Sequence, residues 1–313
     1  MTLALDFYLD WSVNCQFAGL IWAQEEGLFA EEGLDVRLVP PEENPDTTVL
    51  DLVLVGECCV GCMEDNLIVR AVAAGKGVKA IGATMQDSPI HLVTLPEQGM
   101  ECLADVAGRR IAMHRDGIHL LETVLELYGI DPGLMETTVS GWTLDQLLDG
   151  TFDAVQGYAT TEPHQLRRLG HATRLIPIRH HDLRPWAQMM FTTDAVIAAH
   201  GQALARFLVA CRQGWLKAMT NLDDCARLVA ARSREHGDVA ENRRILEMML
   251  PLVAGDAGLD HAVSTDPERW KRNLATYARS GMIARIPAYS EVVCDYLACR
   301  VVGPGKHHLV RSP

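Results

Sequence analysis

Short apolar strands alternate with amphipathic helices through the first half of the chain, and no other feature restricts the fold as much. Repeated strand–helix alternation builds α/β structure with mainly parallel sheets. Strands are expected at 3–9, 34–39, 57–61, 78–84, 90–95, 109–113, 137–140 and 152–158. Between them the helical spacing covers 16–31, 46–55, 64–74, 102–106, 117–128, 143–149 and 161–169. From about 194 the texture changes to successive helices over 194–219, 222–235 and 239–252. Asp223 and Asp266 are expected to cap helices, the second followed by Pro267. Gly27 and Gly33 end a helix and turn the chain, a task for left-handed backbone.

Polar or proline-bearing breaks fall near Asp87-Ser88-Pro89 and Arg184-Pro185-Trp186. They suggest one lobe built from 1–88 with 186–313 and a second, inserted lobe from 89–185. Two crossings between lobes make a hinge, with a binding cleft between them.

Composition narrows the function. The chain has 313 residues, 48% apolar and 22% charged, with a net charge of −13 and no long basic run. That field repels a phosphate backbone, so nucleic acid is not an expected partner. No stretch approaches a membrane span. Met1-Thr2 runs straight into an alternating strand, without the basic and apolar regions of a signal peptide. Nine cysteines in a chain this size read as reduced thiols. A cytoplasmic home is expected, or a periplasmic one if a native leader has been removed. A homodimer is compatible with all of this.

The chain opens Leu5-Asp6-Phe7-Tyr8-Leu9-Asp10-Trp11-Ser12-Val13-Asn14 and continues Ala18-Gly19-Leu20-Ile21-Trp22-Ala23-Gln24-Glu25-Glu26-Gly27-Leu28-Phe29 through Gly33-Leu34-Asp35-Val36. This resembles the family joining thiamine pyrimidine synthase to sulfonate-, pyrimidine- and nitrate-type substrate-binding proteins. Weaker echoes follow at Gly56, Leu103–Ile111, Gly150–Ala154, Thr161-Glu162-Pro163 and Phe207–Met219. The resemblance implies the type II periplasmic-binding-protein fold, two α/β lobes around a cleft. Val13 replaces a usual Pro and Phe17 a frequent His, departures that bear on the ligand. Trp11 and Asn14 would sit at the carboxyl end of the first strand, where open α/β sheets bind ligands.

On the same resemblance, the synthase uses pyridoxal phosphate on a Lys, its own His, and iron. Those positions fall here on Met63 and Leu67, which form no imine and donate no imidazole. The synthase's cysteine-rich stretch becomes Trp186–Phe191, without Cys, and its phosphate loop becomes His114-Arg115-Asp116-Gly117. That loop opens a helix and offers amides plus Arg115 to an anion, with Asp116 opposing. Pyridoxal phosphate and the self-sacrificing route are therefore not expected.

The sharpest local motif is Cys58-Cys59-Val60-Gly61-Cys62-Met63. Period two puts Cys58 and Cys62 on one strand face and Cys59 on the other. Three readings stand: packing, a soft-metal or iron site built from Cys15, Cys58 and Cys62, or reactive thiols at Cys58, Cys59 and Cys62. Met189 and Met190 are expected to approach from the other side. Cys102, Cys211, Cys225, Cys294 and Cys299 are scattered and read as structural. Glu162 matches a family position facing the cleft and suits a cationic or amine group. Glu64, Asp65 and Asn66 either edge the cleft or cap a helix. Trp142 is a stacking wall or hinge packing. His164 and His180-His181-Asp182 are weaker metal candidates, and His307-His308 belongs to a tail. The favoured expectation is a cytoplasmic synthase relative binding a small heteroaromatic or anionic molecule, with oxidative or sulfur chemistry at the thiols. The alternatives are a binding protein for an importer and a ligand sensor.

Overall fold

A computed structural model describes residues 2–294; Cys299 and His307-His308 lie outside the described residues. The first sheet begins with β1 (Leu3–Tyr8), which leads through α1 (Ala18–Glu25) and α2 (Leu28–Glu31) to β2 (Leu34–Val39). The helix expected over 16–31 breaks at Gly27, whose φ of +70° is the left-handed turn that glycine makes without strain. Then come α3 (Val49–Val55), β3 (Cys59–Met63), α4 (Asp65–Ala73) and β4 (Val78–Met85). The second sheet follows: β5 (Ile90–Thr94), β6 (Arg110–Met113), α5 (Ile118–Leu127), β7 (Glu136–Val139), α6 (Leu144–Leu148), β8 (Ala154–Tyr158), α7 (Glu162–Arg168) and β9 (Arg174–Pro177). The chain then returns to the first sheet as β10 (Ala187–Thr193) and ends in α8 (Asp194–Thr220), α9 (Leu222–Arg232), α10 (Val239–Ala254), α11 (Pro267–Arg279) and α12 (Tyr289–Val292).

Both sheets have five strands, ordered β2-β1-β3-β10-β4 and β7-β6-β8-β5-β9. Each carries one returning strand. β10 runs antiparallel to β3 and β4, and β5 antiparallel to β8 and β9. The other pairings are parallel. β10 was not anticipated. All seven of its residues are buried, so it lacks the apolar–polar alternation that reveals a half-buried strand. Its pairing with β4 also slips between Met190 and Phe191.

One face of the first sheet packs through Leu5, Phe7 and Val60 against α1 and α8, where Phe29 stacks on Phe207 at 5.5 Å. A second apolar cluster begins on its other face. It runs through Ile178, Leu183 and Trp186 of the returning crossing to Ile90 and Leu92 of the second sheet. Asp266 caps α11, accepting from the amides of Glu268 and Arg269. Asp223 does not cap; it lies inside the first turn of α9, where its carboxylate accepts from Arg243 Nε at 2.5 Å. Among the described residues no helix is long and apolar enough to cross a membrane.

Candidate ligand cleft

The carboxyl ends of β1 and β3 and the start of β10 face those of β6 and β8 across a cavity of about 240 Å³. On the first wall, Asp10 follows β1. Its carboxylate accepts both contacts of the Gln188 amide, at 3.0 and 2.7 Å, and the Cys62 thiol lies 3.4 Å from Oδ1. Gln188 holds this aim from left-handed backbone, φ +53°, unusual for a residue with a side chain. Burial, helped by Asp116 and opposed by Gln188, pushes the Asp10 carboxyl up to about 7. Glu64 follows β3 and is 1% exposed. Its Oε1 accepts from Tyr158 Oη at 3.3 Å, while Oε2 has no hydrogen-bond partner. Burial, then the charges of Asp116, Asp10 and Asp65, raises it well above the usual carboxylate range.

The second wall is the turn after β6 and the end of β8. Gln156 fastens this turn: its Oε1 accepts from the His114 amide at 3.0 Å and its Nε2 donates to Asp116 Oδ1 at 3.3 Å. Glu162 opens α7, and its Oε2 accepts from the Tyr158 amide at 2.6 Å. Burial lifts it to about 7. Trp11, His114 and Trp142 form a ladder across the opening, with ring centroids 5.0 and 4.7 Å apart. The cavity lining holds Asp10, Asp116, Glu162 and Glu235 but no lysine or arginine. Around it Gln16 Oε1, Glu64 Oε2, Asn66 Oδ1 and Trp142 Nε1 are buried without partners. Three of these four are acceptors. The cavity therefore presents negative potential, aromatic faces and spare acceptors, which suits a flat molecule rich in N–H groups.

The residues singled out in the sequence separate into three groups. Trp11, Asn14 and Glu162 line this cavity, with Trp142 behind His114 and Glu64 hydrogen-bonded to its lining. Asn14 also caps the short turn Cys15–Phe17, accepting from the Gln16 amide at 2.6 Å. Glu64 occupies the N-cap position of α4, but its side chain makes no capping hydrogen bond there. Met63, Met189 and Met190 are buried in the apolar clusters instead of reaching a ligand. Arg115 is exposed, outside the lining, on a turn whose Gly117 and Ile118 amides already donate to His114 O. An anion finds no cradle in those two amides.

The thiols do not converge. Cys59 faces the second apolar cluster, its Sγ 3.6 Å from Val53 O, while Cys62 and Val60 face the first. Cys15 turns to Asn242, and half-buried Cys58 packs beside the first cluster. Among the described residues, the one group of three possible ligands within 4.8 Å is His180, His181 and Asp182. It contains no cysteine, so the expected site at Cys15, Cys58 and Cys62 lacks its geometry. Burial raises all four thiols, Cys59 to about 12, the opposite of an activated thiolate. His180 and His181 line a separate cavity of about 590 Å³ beside the crossings, and Asp182 is held there by Arg279 at 2.6 Å. His164 contacts Arg244, outside the cleft. The pyridoxal phosphate and iron implied by the synthase resemblance do not fit: the cavity offers no lysine for an imine and no ligand triad.

Asp10, Gln156, Tyr158 and Gln188 were not singled out from the sequence, and His114 and Asp116 entered there only with the loop offered to an anion. Asp10, His114, Asp116 and Tyr158 follow or end a strand at its carboxyl side, which was the available signal, whereas Gln156 lies inside β8. Gly117 is the residue that lets the second wall close. A Cβ there would stand 2.1 Å from Gln156 Oε1, so Gly117→Ala must expel Gln156 from its bonds to His114 and Asp116. We expect a loss of about 1–3 kcal/mol in stability and weaker ligand binding, measured by thermal melting and calorimetry. An unchanged melt would remove Gln156 from this role.

A family model described as "NMT1/THI5 like" matches residues 14–224. The formylaminopyrimidine-binding protein of Halalkalibacterium halodurans is 25% identical over 236 residues, 74% of this chain and 71% of that protein. The 4-amino-5-hydroxymethyl-2-methylpyrimidine phosphate synthase of Legionella pneumophila is 25% identical over 163 residues, 51% of each chain, so the match spans about half that relative's length. Among solved structures, the periplasmic aliphatic sulphonate binding protein of Escherichia coli aligns with a TM-score of 0.70 at 14% identity. That alignment covers 96% of this chain and 100% of the other. Likeness at this identity concerns the fold, which is that of the periplasmic binding proteins.

Proposed function

The chain belongs to the NMT1/THI5-like family, and from that premise we propose that it is a receptor whose two lobes, 2–88 with 186–294 and 89–185 of the described residues, close on a flat, amine-bearing nitrogen heteroaromatic of the aminopyrimidine class. The carrying observation is the charge of the cavity: carboxyl groups on both walls and no lysine or arginine in the lining. A sulfonate would meet Asp10, Asp116 and Glu162 without a countercharge, at high desolvation cost. An aminopyrimidine instead places ring faces against Trp11 and His114 and N–H donors against carboxylates. The relative named for formylaminopyrimidine binding supports the same class.

Contacts between the two walls describe how closure is held. Tyr158 reaches Glu64, Asn66 Nδ2 donates to Asp116 O at 3.5 Å, and Arg168 of α7 pairs with Asp238 and Glu241 of the α10 entrance. Buried, protonated thiols have a packing role in this reading. Where the protein is exported such a receptor serves an importer; where retained, a sensor or carrier.

The test is titration of the full chain with 4-aminopyrimidine and with methanesulfonate, followed by tryptophan fluorescence and calorimetry. Saturable binding of the aminopyrimidine with a change in Trp emission is expected, and none for the sulfonate. Sulfonate binding with a silent aminopyrimidine would overturn the proposal.

A further inference from the structure

We propose that His180, His181 and Asp182 form a binding site for a borderline divalent metal ion, of which zinc is the type, in the crossing that returns from the second sheet to the first. The site stands apart from the ligand cleft and shares none of its lining. The three residues lie between β9 and β10, where backbone bonds fold the segment into a turn. The Asp182 amide donates to His180 Nδ1 at 3.1 Å, and the Leu183 amide donates to His180 O at 3.0 Å. Consecutive side chains on a strand point to opposite faces. This turn instead brings one ligand atom from each of three consecutive residues within 4.8 Å of one another. The two imidazole rings have centroids 3.9 Å apart, and His181 Nε2 is 3.6 Å from Asp182 Oδ1.

Two imidazoles and one carboxylate are the donor set of zinc and its first-row neighbours, whereas magnesium and calcium take oxygen ligands. Packing holds the set in place from both sides. Tyr128, at the end of α5, packs edge-on against the His180 ring at 4.6 Å, and its Oη donates to Arg179 O at 3.3 Å. From α11, Thr276 Oγ1 donates to Asp182 O at 3.1 Å. Arg279 of the same helix donates from Nη2 to Asp182 Oδ2 at 2.6 Å, which orients the carboxylate and leaves Oδ1 on the His181 side. The charge of Arg279 opposes a cation, but its side chain is 57% exposed and water and salt screen it. An ion on His180 takes the ring lone pair that now accepts from the Asp182 amide, exchanging one ordinary hydrogen bond for a coordination bond. His180 and His181 line the cavity of about 590 Å³ beside the crossings, so water can fill the coordination positions left open.

The experiment titrates the full chain, stripped of metal with a chelator, with zinc chloride by calorimetry at pH 7.5, with magnesium chloride as the control. Zinc is expected to bind with one-to-one stoichiometry and to raise the melting midpoint, and magnesium to stay silent. His181→Ala and Asp182→Asn should each weaken zinc binding by at least the roughly 10- to 100-fold that losing an outer-shell partner costs. The His181 side chain is 76% exposed, so its removal leaves the fold intact. Nine cysteines compete for zinc, and cobalt separates the two sources. Its first equivalent should give d–d bands without thiolate-to-metal charge transfer. Absence of zinc binding in the wild type, or an affinity unchanged in either variant, overturns the site. Equal binding of magnesium overturns it as well, as does thiolate charge transfer from the first equivalent of cobalt.

Discussion

At pH 8, a chain carrying Glu64→Gln and Glu162→Gln should melt several degrees above the wild type and fail to bind an aminopyrimidine. The reason is the direction in which burial moves the carboxyl groups. Glu162 is raised from 4.5 to about 7 and Asp10 from 3.8 to about 7; Asp65 reaches about 6, and Glu64 lies well above its usual range. A raised carboxyl binds its proton more tightly in the folded chain than in the unfolded one. Its penalty is absent below the unfolded value, grows as pH climbs from about 4 toward 7, and is complete above the folded value. A tenfold gain in proton affinity on folding is worth about 1.4 kcal/mol, so Glu162 alone costs on the order of 3 kcal/mol at pH 8, and Glu64 acts in the same direction. Glutamine keeps the shape and removes the charge. Near pH 5 the two proteins should melt nearly together, because both glutamates are then protonated. Exposed Glu291, held down to about 2 by Arg285, acts in the opposite direction but only at much lower pH. A wild type most stable at pH 8, or a variant less stable there, would show that these carboxyls are not strained. The instability is the counterpart of binding: what a cationic ligand relieves, the empty cleft must carry.

Much of the scaffold is legible in the sequence because each strand of the first half carries its own local signal. Gly27 and Gly33 mark turns by the one conformation glycine alone makes cheaply, and both have positive φ. The β2 expectation, 34–39, coincides with the observed strand because Asp35 and Arg37 alternate with Leu34 and Val36. β10 hides for the opposite reason. Flanked on both sides and covered on both faces, Ala187–Thr193 need not alternate, and its Met-Met-Phe run reads equally as the start of the following helix.

The cleft is partly legible. Trp11, Asn14 and Glu162 were found through the resemblance and share one cavity. The thiols show where such reading stops. Period two sorts Cys62 and Cys59 onto opposite faces, as observed, but cannot say what stands behind each face. Convergence on a metal depends on distances between elements, here set by the apolar clusters that absorb each sulfur separately. Glu64 illustrates the same gap. A carboxylate at a helix start reads locally as a cap, yet Tyr158, 94 residues later, turns it into the cleft. Gln188 has no local signal at all; its role exists because β10 returns beside β3 and brings its amide to Asp10.

Arg269→Met should be the most damaging single substitution at the crossings, costing about 3–5 kcal/mol and lowering the melting midpoint by on the order of 10 °C. Arg269 is 5% exposed. Its Nε donates to Arg184 O at 2.7 Å and its Nη2 to Pro185 O at 2.8 Å, with the guanidinium 3.8 Å above the Trp186 ring. Trp186 packs in turn against Trp270, the rings tilted by 33° with centroids 4.8 Å apart. Burial lowers the Arg269 pKa to about 10, so the group is still charged at neutral pH and balances buried Asp65. Methionine fills similar space but leaves Pro185 O without this donor and Asp65 without its cation. Arg184 is the internal control. It pairs with Asp87 and Asp256 beside the same crossings, but its side chain is 44% exposed. Water screens such pairs, and Arg184→Gln should cost about 1 kcal/mol or less. Because Asp65 also accepts from the Trp186 amide, Arg269→Met should weaken ligand binding through the neighbouring Glu64, whereas Arg184→Gln should not. Equal losses of stability from the two arginines would mean that the exposed pairs hold the crossing and the buried guanidinium does not.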